Sequence, residues 1–333
     1  MRWMAVVERP RRHARPDRGS GARLAGGHGD AARRTEVTLI LGWHALRRSP
    51  QALAGVFLVA AVTLLALAAI EWGDPARSIL NRAFVARSPY DNDRSLTTLP
   101  SPPDERHSLG TDSLGRDLLS RLLHGARVSL AVGVTAEAIA LAVGLIVGTL
   151  AGYAGGRTDT LLMRGTDLLL AFPVPLLAMG AMAVFDSPSF TIVFVVLGLM
   201  GWGGIARLVR GEVLSLKERE FAEAVRALGA GSGRIAFLHL LPNAMAPALV
   251  AATVGVAGNI LTEAWLSFLG LGAQPPTPSW GGMIAEGQTY LTTAPWLSIL
   301  PGIALAITVG GFMMLADSLR EALDPRLRGR TWT

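Results

Sequence analysis

Long apolar runs alternate with short charged segments along most of the chain, a pattern that indicates membrane-spanning helices. A helix that crosses a bilayer needs about 20 mainly apolar residues, and about six runs approach this length. The predicted spans are Ala52–Ile70, Val128–Tyr153, Asp167–Phe185, Phe190–Ala206, Ala244–Phe268 and Trp296–Leu315. The third run is short and contains Pro173 and Pro175, so we expect a kinked helix there. The pattern predicts an all-α, polytopic membrane protein.

Composition supports the membrane assignment and limits the chemistry. Half of the 333 residues are hydrophobic and 17% are charged, a balance that is unusual for a soluble domain. The chain has no cysteine, which excludes disulfides, thiolate metal sites and a cysteine nucleophile. Residues 1–50 carry eleven arginines and four acidic residues, whereas the whole chain has a formal charge of +6. We expect residues 1–45 to form a disordered, basic cytoplasmic segment beside anionic membrane lipid.

The distribution of arginine and lysine predicts the orientation. Basic residues occur in the segments after spans two, four and six, whereas none lies between Arg234 and Arg320. Residues 71–127 hold eight arginines and eight acidic residues, but long loops are translocated largely regardless of charge. The positive-inside rule therefore predicts that both termini are cytoplasmic. We divide the chain into the N-terminal segment, the first span with an outside loop over 46–127, a core over 128–318 and a C-terminal cytoplasmic tail over 319–333.

The segment over 208–243 is predicted to form a cytoplasmic loop with a helical knob. Ser215 and Glu218 match a capping box, and Gly229 suits the left-handed residue after a helix, so we expect one helix over Leu216–Leu228. Helical spacing places four residues on one narrow apolar stripe: Phe221, Ala224, Val225 and Leu228. A glycine-rich turn then reverses the chain towards Pro242. The segment could pack on its own domain or present the knob to a partner.

Two further features precede or lie within the second span. Thr111 or Asp112 could cap an interfacial elbow helix with leucines on one face and with the ion pairs Asp112/Arg116 and Asp117/Arg121. Its main predicted role is to position the second span, and contact with a receptor is the alternative. Within the span, small residues four apart favour close helix packing: Gly144, Gly148 and Gly152.

Glu137 also lies within the second predicted span, where carboxylates are rare. One interpretation places it on a translocation path or against a partner subunit. The other makes it a protonated or hydrogen-bonded packing residue, and the sequence does not separate the two.

The sequence lacks several kinds of catalytic motif. It has no GxxxxGK[ST] phosphate-binding loop, so any ATP hydrolysis requires another chain. The six histidines are scattered, which predicts no metal site. A polytopic membrane enzyme needs an acid, base or nucleophile pair at bilayer depth, and no histidine lies in a predicted span. We therefore predict no catalytic residue, while a membrane enzyme or a sensor stays the alternative from another functional class.

The loop sequence FAEAVRALGAGSGRIAFLHLLPN resembles the coupling loop of ABC-importer permeases. The matching residues are Glu223, Ala224, Gly229, Leu241 and Pro242, and Val225 replaces the family's third small residue. The segments His107–Leu130, Leu266–Gly287 and Leu319–Gly329 are similar to the second permease subunit of dipeptide, oligopeptide and nickel importers. The resemblance extends from about Trp43 to Arg328. The long arginine-rich N-terminus and Glu137 depart from the family pattern.

The resemblance implies a type I ABC-importer permease fold in the inner membrane. It implies a homologous second permease, two cytoplasmic ATPase subunits that bind ATP and magnesium, and an extracytoplasmic substrate-binding protein. The loop would dock into a groove on an ATPase, with Glu223 at the contact and Gly229 at the turn. This form of the loop belongs to importers, which argues against export. Peptides are the expected cargo and nickel chelates or another small solute the alternative, with no cofactor in this chain and no nucleic-acid partner.

Overall fold

The computed structural model describes residues 49–68, 88–93, 95, 100–184 and 190–323. Helices dominate this part of the chain, and its β pairing is limited to the isolated bridges Asn92–Arg116 and Thr111–Asp117. The helices are α1 (Pro50–Ala68), α2 (Leu118–Ala154), α3 (Gly156–Leu170), α4 (Val174–Val184), α5 (Phe190–Lys217), α6 (Glu220–Ala227), α7 (Leu241–Phe268), α8 (Trp280–Gly287) and α9 (Trp296–Leu323). A helical turn at Ser232–Arg234 and a π-helical segment at Ile235–Leu240 precede α7. The all-α prediction is confirmed.

Five of these helices are long and apolar enough to cross a membrane: α1, α2, α5, α7 and α9. Together, α3 and α4 meet the same criteria, but the two are bent by 86°. The predicted kink is therefore a break between two helices, and Pro173 lies in it. The described chain thus has five spans, or six if the bent pair counts as one, in agreement with the prediction.

The closest helix packing joins α2 to α5. Gly144 faces Ile205, Gly148 faces the carbonyl of Ala206, and Gly152 faces that of Arg210. A Cβ atom at Gly148 would lie 2.5 Å from the Ala206 oxygen, which is too close for any side chain. The predicted packing role of the three glycines is confirmed. Because the facing positions increase together along both helices, α2 and α5 run in the same direction.

The other long helices run in alternating directions. In α7, Gly255 packs on Glu137 and Ile260 packs on Gly133, so α7 is antiparallel to α2. Gly55 of α1 meets Leu315 of α9 in a second antiparallel pair. One end of the bundle, the loop end, therefore holds the segment from Lys217 to Leu240. The opposite end holds the start of α2 and all of α8.

Several predicted boundaries need correction. The elbow helix is wrong as predicted, because Thr111 forms a β-bridge with Asp117, Asp112 precedes a turn, and Asp117 caps α2, accepting from the Ser120 N–H. The second span and this segment thus form one continuous helix from Leu118. Helix α9 continues to Leu323, so the first residues of the predicted tail over 319–333 are helical. The predicted disorder of residues 1–45 and the span ends at Ile70 and Phe185 lie outside the described residues.

Candidate functional site

The single helix predicted for the loop is divided in the structure between the end of α5 and the separate helix α6. Helix α5 ends at Lys217, and the eight-residue α6 begins at Glu220 after Arg219 adopts an extended backbone. Ser215 lies inside α5, so the predicted capping box with Glu218 does not form. The break lets α6 change direction relative to α5. The predicted single helix over Leu216–Leu228 is therefore wrong, although its C-terminal end is nearly right.

The apolar residues of α6 lie on two faces. Ala222 is fully buried, and Val225 is half-buried against the same cluster of residues from α5 and the π-helical segment. Phe221, Ala224 and Leu228 are exposed, and Leu228 has an exposed fraction of 79%. The predicted stripe is thus divided, because Val225 points inward and the other three do not. We call Phe221, Ala224 and Leu228 the outer ridge of α6.

Gly229 ends α6 in a left-handed conformation, as predicted, with φ = +80°. Its N–H donates to the Arg226 carbonyl, and the N–H of Ala230 donates to that of Val225 at 3.4 Å. This pair of bonds is a Schellman motif, which satisfies carbonyls that a helix end leaves without partners. The motif turns the chain sharply after Leu228, so α6 projects as a compact knob.

The segment that leads from the knob back to α7 positions the other two predicted loop residues, Leu241 and Pro242. In the π-helical segment, Ile235 and Leu240 are buried in the cluster that holds Ala222. Leu241 is half-buried and Pro242 is exposed in the first turn of α7, where proline's missing N–H costs little. The structure therefore brings the predicted residues into one knob with an exposed part (Glu223, Ala224, Gly229 and Pro242) and an inward part (Val225 and Leu241).

Polar contacts fix the knob's base to the transmembrane helices. The Lys217 ammonium group donates to the Tyr153 carbonyl at the end of α2, at 2.9 Å. Arg210 of α5 makes two hydrogen bonds with the carboxylate of Asp159 in α3, at 2.5 and 2.6 Å. Helix α5, which leads into α6, is thus bonded to both α2 and α3.

Glu137 combines features of both predicted interpretations. Its side chain is buried, and Asn259 of α7 donates to its Oε2 atom at 2.9 Å. It packs directly on Gly255, where a Cβ atom would overlap the carboxylate. The same residue borders an open, mainly apolar groove of ≈ 250 Å³ between α2, α7 and α9. It is therefore hydrogen-bonded within the chain and adjacent to a surface groove.

A second intramembrane carboxylate, Glu263, was missed by the sequence reasoning. It is 1% exposed, and its oxygens accept from the hydroxyls of Ser129 at 3.0 Å and Ser267 at 2.6 Å. The Ser129 bond joins α7 to α2, whereas the Ser267 bond lies within α7. Glu263 lies within the predicted span Ala244–Phe268, so the rarity of carboxylates in spans was a sufficient signal to find it.

The opposite end contains an ionic cluster formed by three buried residues, Asp112, Arg116 and Arg121, and the half-buried Glu286. Asp112 pairs with the guanidinium of Arg116 at 2.6 Å, as predicted, and also with that of Arg121. Both arginines reach Glu286 of α8, at 3.2 and 2.9 Å. The predicted Asp117/Arg121 pair is wrong, because Asp117 instead accepts from Nδ1 of His107 at 2.9 Å. The cluster ties the segment before α2 to α8.

The environment of Asp112 stabilises its charged form. Burial alone raises the pKa of this carboxyl, but the Arg121 guanidinium, the backbone N–H groups of Arg116 and Leu114, and the Arg116 guanidinium act more strongly in the other direction. The net pKa of Asp112 lies below its ordinary value. Asp112 is therefore an anion that fixes two arginines at neutral pH.

The described part of the chain contains no group of three or more histidine, aspartate or glutamate residues placed to hold a metal ion. A scan of protein families matches residues 144–329 to the binding-protein-dependent transport system inner membrane component. The match covers more than half of the chain. The protein belongs to this family.

Named members of the transport family are similar over most of the chain. The oligopeptide transport system permease protein OppC of Bacillus subtilis is 38% identical over 303 residues, which are 90% of this chain and 94% of that protein. The dipeptide permease protein DppC of Alkalihalophilus pseudofirmus is 38% identical over a region that is 85% of this chain and 88% of that protein. The glutathione permease protein GsiD of Pectobacterium atrosepticum is 41% identical over a region that is 74% of this chain and 80% of that protein. The chain is thus a multi-pass permease subunit rather than an enzyme.

Proposed function

We propose that this permease subunit imports peptides and takes its driving force through α6 from an ATPase partner. The observation that carries the coupling role is the outer ridge of α6, which is exposed on a knob fixed to α5 and α2. An apolar ridge beside the charged residues Glu223 and Arg226 suits a groove with an apolar floor and polar rim. When an ATPase moves α6, the bonds of Lys217 and Arg210 would transmit this movement through α5 to the membrane helices.

Peptides are the cargo class that the relatives favour. The similar permeases named above belong to oligopeptide, dipeptide and glutathione systems, and all three solutes contain peptide bonds. In the proposed assembly, this chain pairs with a homologous permease, and a substrate-binding protein delivers the solute. Two ATPase subunits hold ATP and magnesium at the loop end. This end faces the cytoplasm in the proposal, because it is rich in basic residues and the positive-inside rule places such segments on the cytoplasmic side.

Glu137 contributes to the path or to the contact with the sister permease in this proposal. The groove beside it supports this role, whereas Glu263 is 1% exposed, accepts from Ser129 of α2 and serves packing between helices. The matched variants Glu137→Gln and Glu263→Gln test the distinction in an assembled transporter. We expect Glu137→Gln to change the peptide uptake rate or subunit association and to leave the amount of inserted protein unchanged. Unaltered uptake and association would reject a functional role for Glu137.

Cysteine cross-linking tests the docking of α6 directly, because the natural chain has no cysteine. Ala224→Cys is paired with a single cysteine in the surface groove of the ATPase subunit, in membranes that contain the whole assembly. The matched control is Thr292→Cys, which places an exposed cysteine at the opposite end. We expect a disulfide-linked product with Ala224→Cys alone. Equal cross-linking at the two positions, or none at either, would reject docking through α6.

Uncoupling variants test transmission separately from docking. Glu223→Ala removes a charged group from the exposed knob, and Gly229→Pro is incompatible with the left-handed turn. We expect each to leave the spans inserted while ATP hydrolysis continues without proportionate peptide uptake. Normal ratios of uptake to hydrolysis in both variants would contradict the coupling role.

Co-purification tests the assembly as a whole. The tagged chain is extracted in mild detergent and its companions are identified by mass spectrometry. Recovery of a second permease and ATPase subunits is the expected result. A stable, monodisperse chain recovered alone would contradict the proposed assembly.

A further inference from the structure

A cavity of ≈ 370 Å³ opens at the opposite end of the bundle, apart from the ionic cluster and from Glu137. The lining residues that define its chemistry are Tyr90, His124, Arg127, Ala131, Phe194 and Thr277. Its volume is within the range of small-molecule sites, which is about 300–1,000 Å³. The cavity is therefore large enough for one end of a short peptide.

Arg127 gives this cavity an uncompensated positive charge. Its side chain is exposed and makes no hydrogen bond or ion pair with any other residue in the part of the chain that is described. By contrast, Arg116 and Arg121 at the same end are both held by Asp112 and Glu286. None of the described residues that line the cavity carries a carboxylate. The site therefore attracts an anion, and no described residue of its walls neutralises that attraction.

The walls around Arg127 are held in place before any ligand arrives. His124 donates from Nδ1 to the Ser120 carbonyl one turn earlier in α2, at 2.8 Å. The indole of Trp280 donates to the Leu122 carbonyl at 2.9 Å and packs on Gly125, fixing α8 against this part of α2. A rigid site loses less conformational entropy when a ligand binds.

We propose that this cavity binds the C-terminal carboxylate of a peptide through Arg127. A guanidinium can donate two parallel hydrogen bonds to a carboxylate, a geometry that fixes both position and orientation. The Thr277 hydroxyl on the facing wall can supply another donor. Phe194 and Ala131 offer apolar contact to the last side chain of the peptide. The assignment rests on the proposed peptide-import function and adds a specific recognition element on the side where the solute enters.

A cysteine reporter at Ala131 tests the charge of the site. Ala131 is exposed and lies four residues after Arg127, which places both on one face of α2. The assembled transporter carrying Ala131→Cys is treated with an anionic and a cationic methanethiosulfonate reagent. We expect the anionic reagent to react faster by about fivefold or more, since unit charges at contact distance interact by about 1 kcal/mol even in water. Arg127→Gln should abolish this preference, and the matched control Arg106→Gln, an exposed arginine outside the cavity, should retain it.

Protection by peptide tests what the anion site recognises. The tripeptide Ala-Ala-Ala should slow labelling of Ala131→Cys, whereas the same peptide with a C-terminal amide should not. Equal protection by acid and amide, or a reagent preference that survives Arg127→Gln, would overturn the site. Peptide uptake by the assembled transporter with its native Arg127 is measured in parallel. If that transporter takes up no peptide, the proposed function fails, whereas normal uptake with equal protection rejects the carboxylate site alone.

Discussion

The two ends of the bundle use charged residues in different ways. At the opposite end, the side chains of Asp112 and Arg121 are at most 5% exposed, and they bond to each other within the chain. At the loop end, Arg207 and Asp167 also form an ion pair, at 2.6 Å, but their side chains are 51% and 52% exposed, and most charges of α6 face solvent. Buried pairs hold elements in one geometry, whereas exposed charges stay available for a partner. One end is thus built for a fixed shape and the other for contact.

The difference between the ends predicts unequal costs for the same substitution. Arg121→Ala removes one of the two guanidinium partners of both Asp112 and Glu286, and Asp112 is buried. We expect a loss of about 3 kcal/mol in the free energy of unfolding, the lower part of the range for broken buried pairs, because Arg116 still contacts Asp112. Arg207→Ala, the matched control at the loop end, should cost about 0–1 kcal/mol. Denaturant unfolding of both variants in detergent micelles measures the costs, and similar values would refute the contrast.

The ionic cluster also predicts a pH dependence at the opposite end. The pKa of Asp112 is lower in the folded chain than its ordinary value of 3.8. Its contribution to stability is therefore fully present above pH 3.8 and is lost as the pH falls through the lower folded value. We expect the thermal midpoint to fall more steeply below about pH 4 in the natural chain than in Asp112→Asn. Parallel profiles for the two proteins would show that Asp112 does not contribute in this way.

The sequence predicted the features that depend on local pattern. Apolar runs located the spans, and spacing of four identified the packing face of Gly144, Gly148 and Gly152. It also gave the left-handed turn at Gly229, because few other residues tolerate that backbone conformation. These predictions succeeded because each feature is determined within one helix or one turn.

Features that depend on distant contacts were not predictable in the same way. Arg121 was assigned to Asp117 by the four-residue spacing, yet it bonds Glu286, which is 165 positions away. The outward orientation of Ala224 and the inward orientation of Val225 follow from the break after Lys217, which frees α6 to rotate. Local spacing identifies residues that could meet on one helix, but the tertiary fold decides which of them have better partners elsewhere.

Substitutions at two nearby glycines of the loop end distinguish the effect of backbone strain from that of steric crowding by an added side chain. Gly229 and Gly231 both have open space where a Cβ atom would be added, but only Gly229 has a positive φ. We expect Gly229→Ala to destabilise the knob by about 1–2 kcal/mol and Gly231→Ala to have almost no effect. Hydrogen exchange of the α6 amides in the assembled transporter reports this local stability. Equal exchange in the two variants would show that the turn does not determine the geometry of the knob.

Substitutions on the outer ridge are expected to have the smallest effect on stability. They should instead weaken docking of the ATPase partner. Leu228 is 79% exposed, so Leu228→Ser should alter the free energy of unfolding by no more than about 0.5 kcal/mol. If an ATPase groove covers this side chain, the same substitution removes apolar contact and weakens retention of the ATPase during purification. Leu291→Ser, at a half-exposed leucine near the opposite end, is the matched control and should leave retention unchanged. Equal retention in both variants would mean that the outer ridge faces solvent in the assembly. The loop end would then not be a docking surface, and the contrast between a rigid end and a docking end would have no functional meaning.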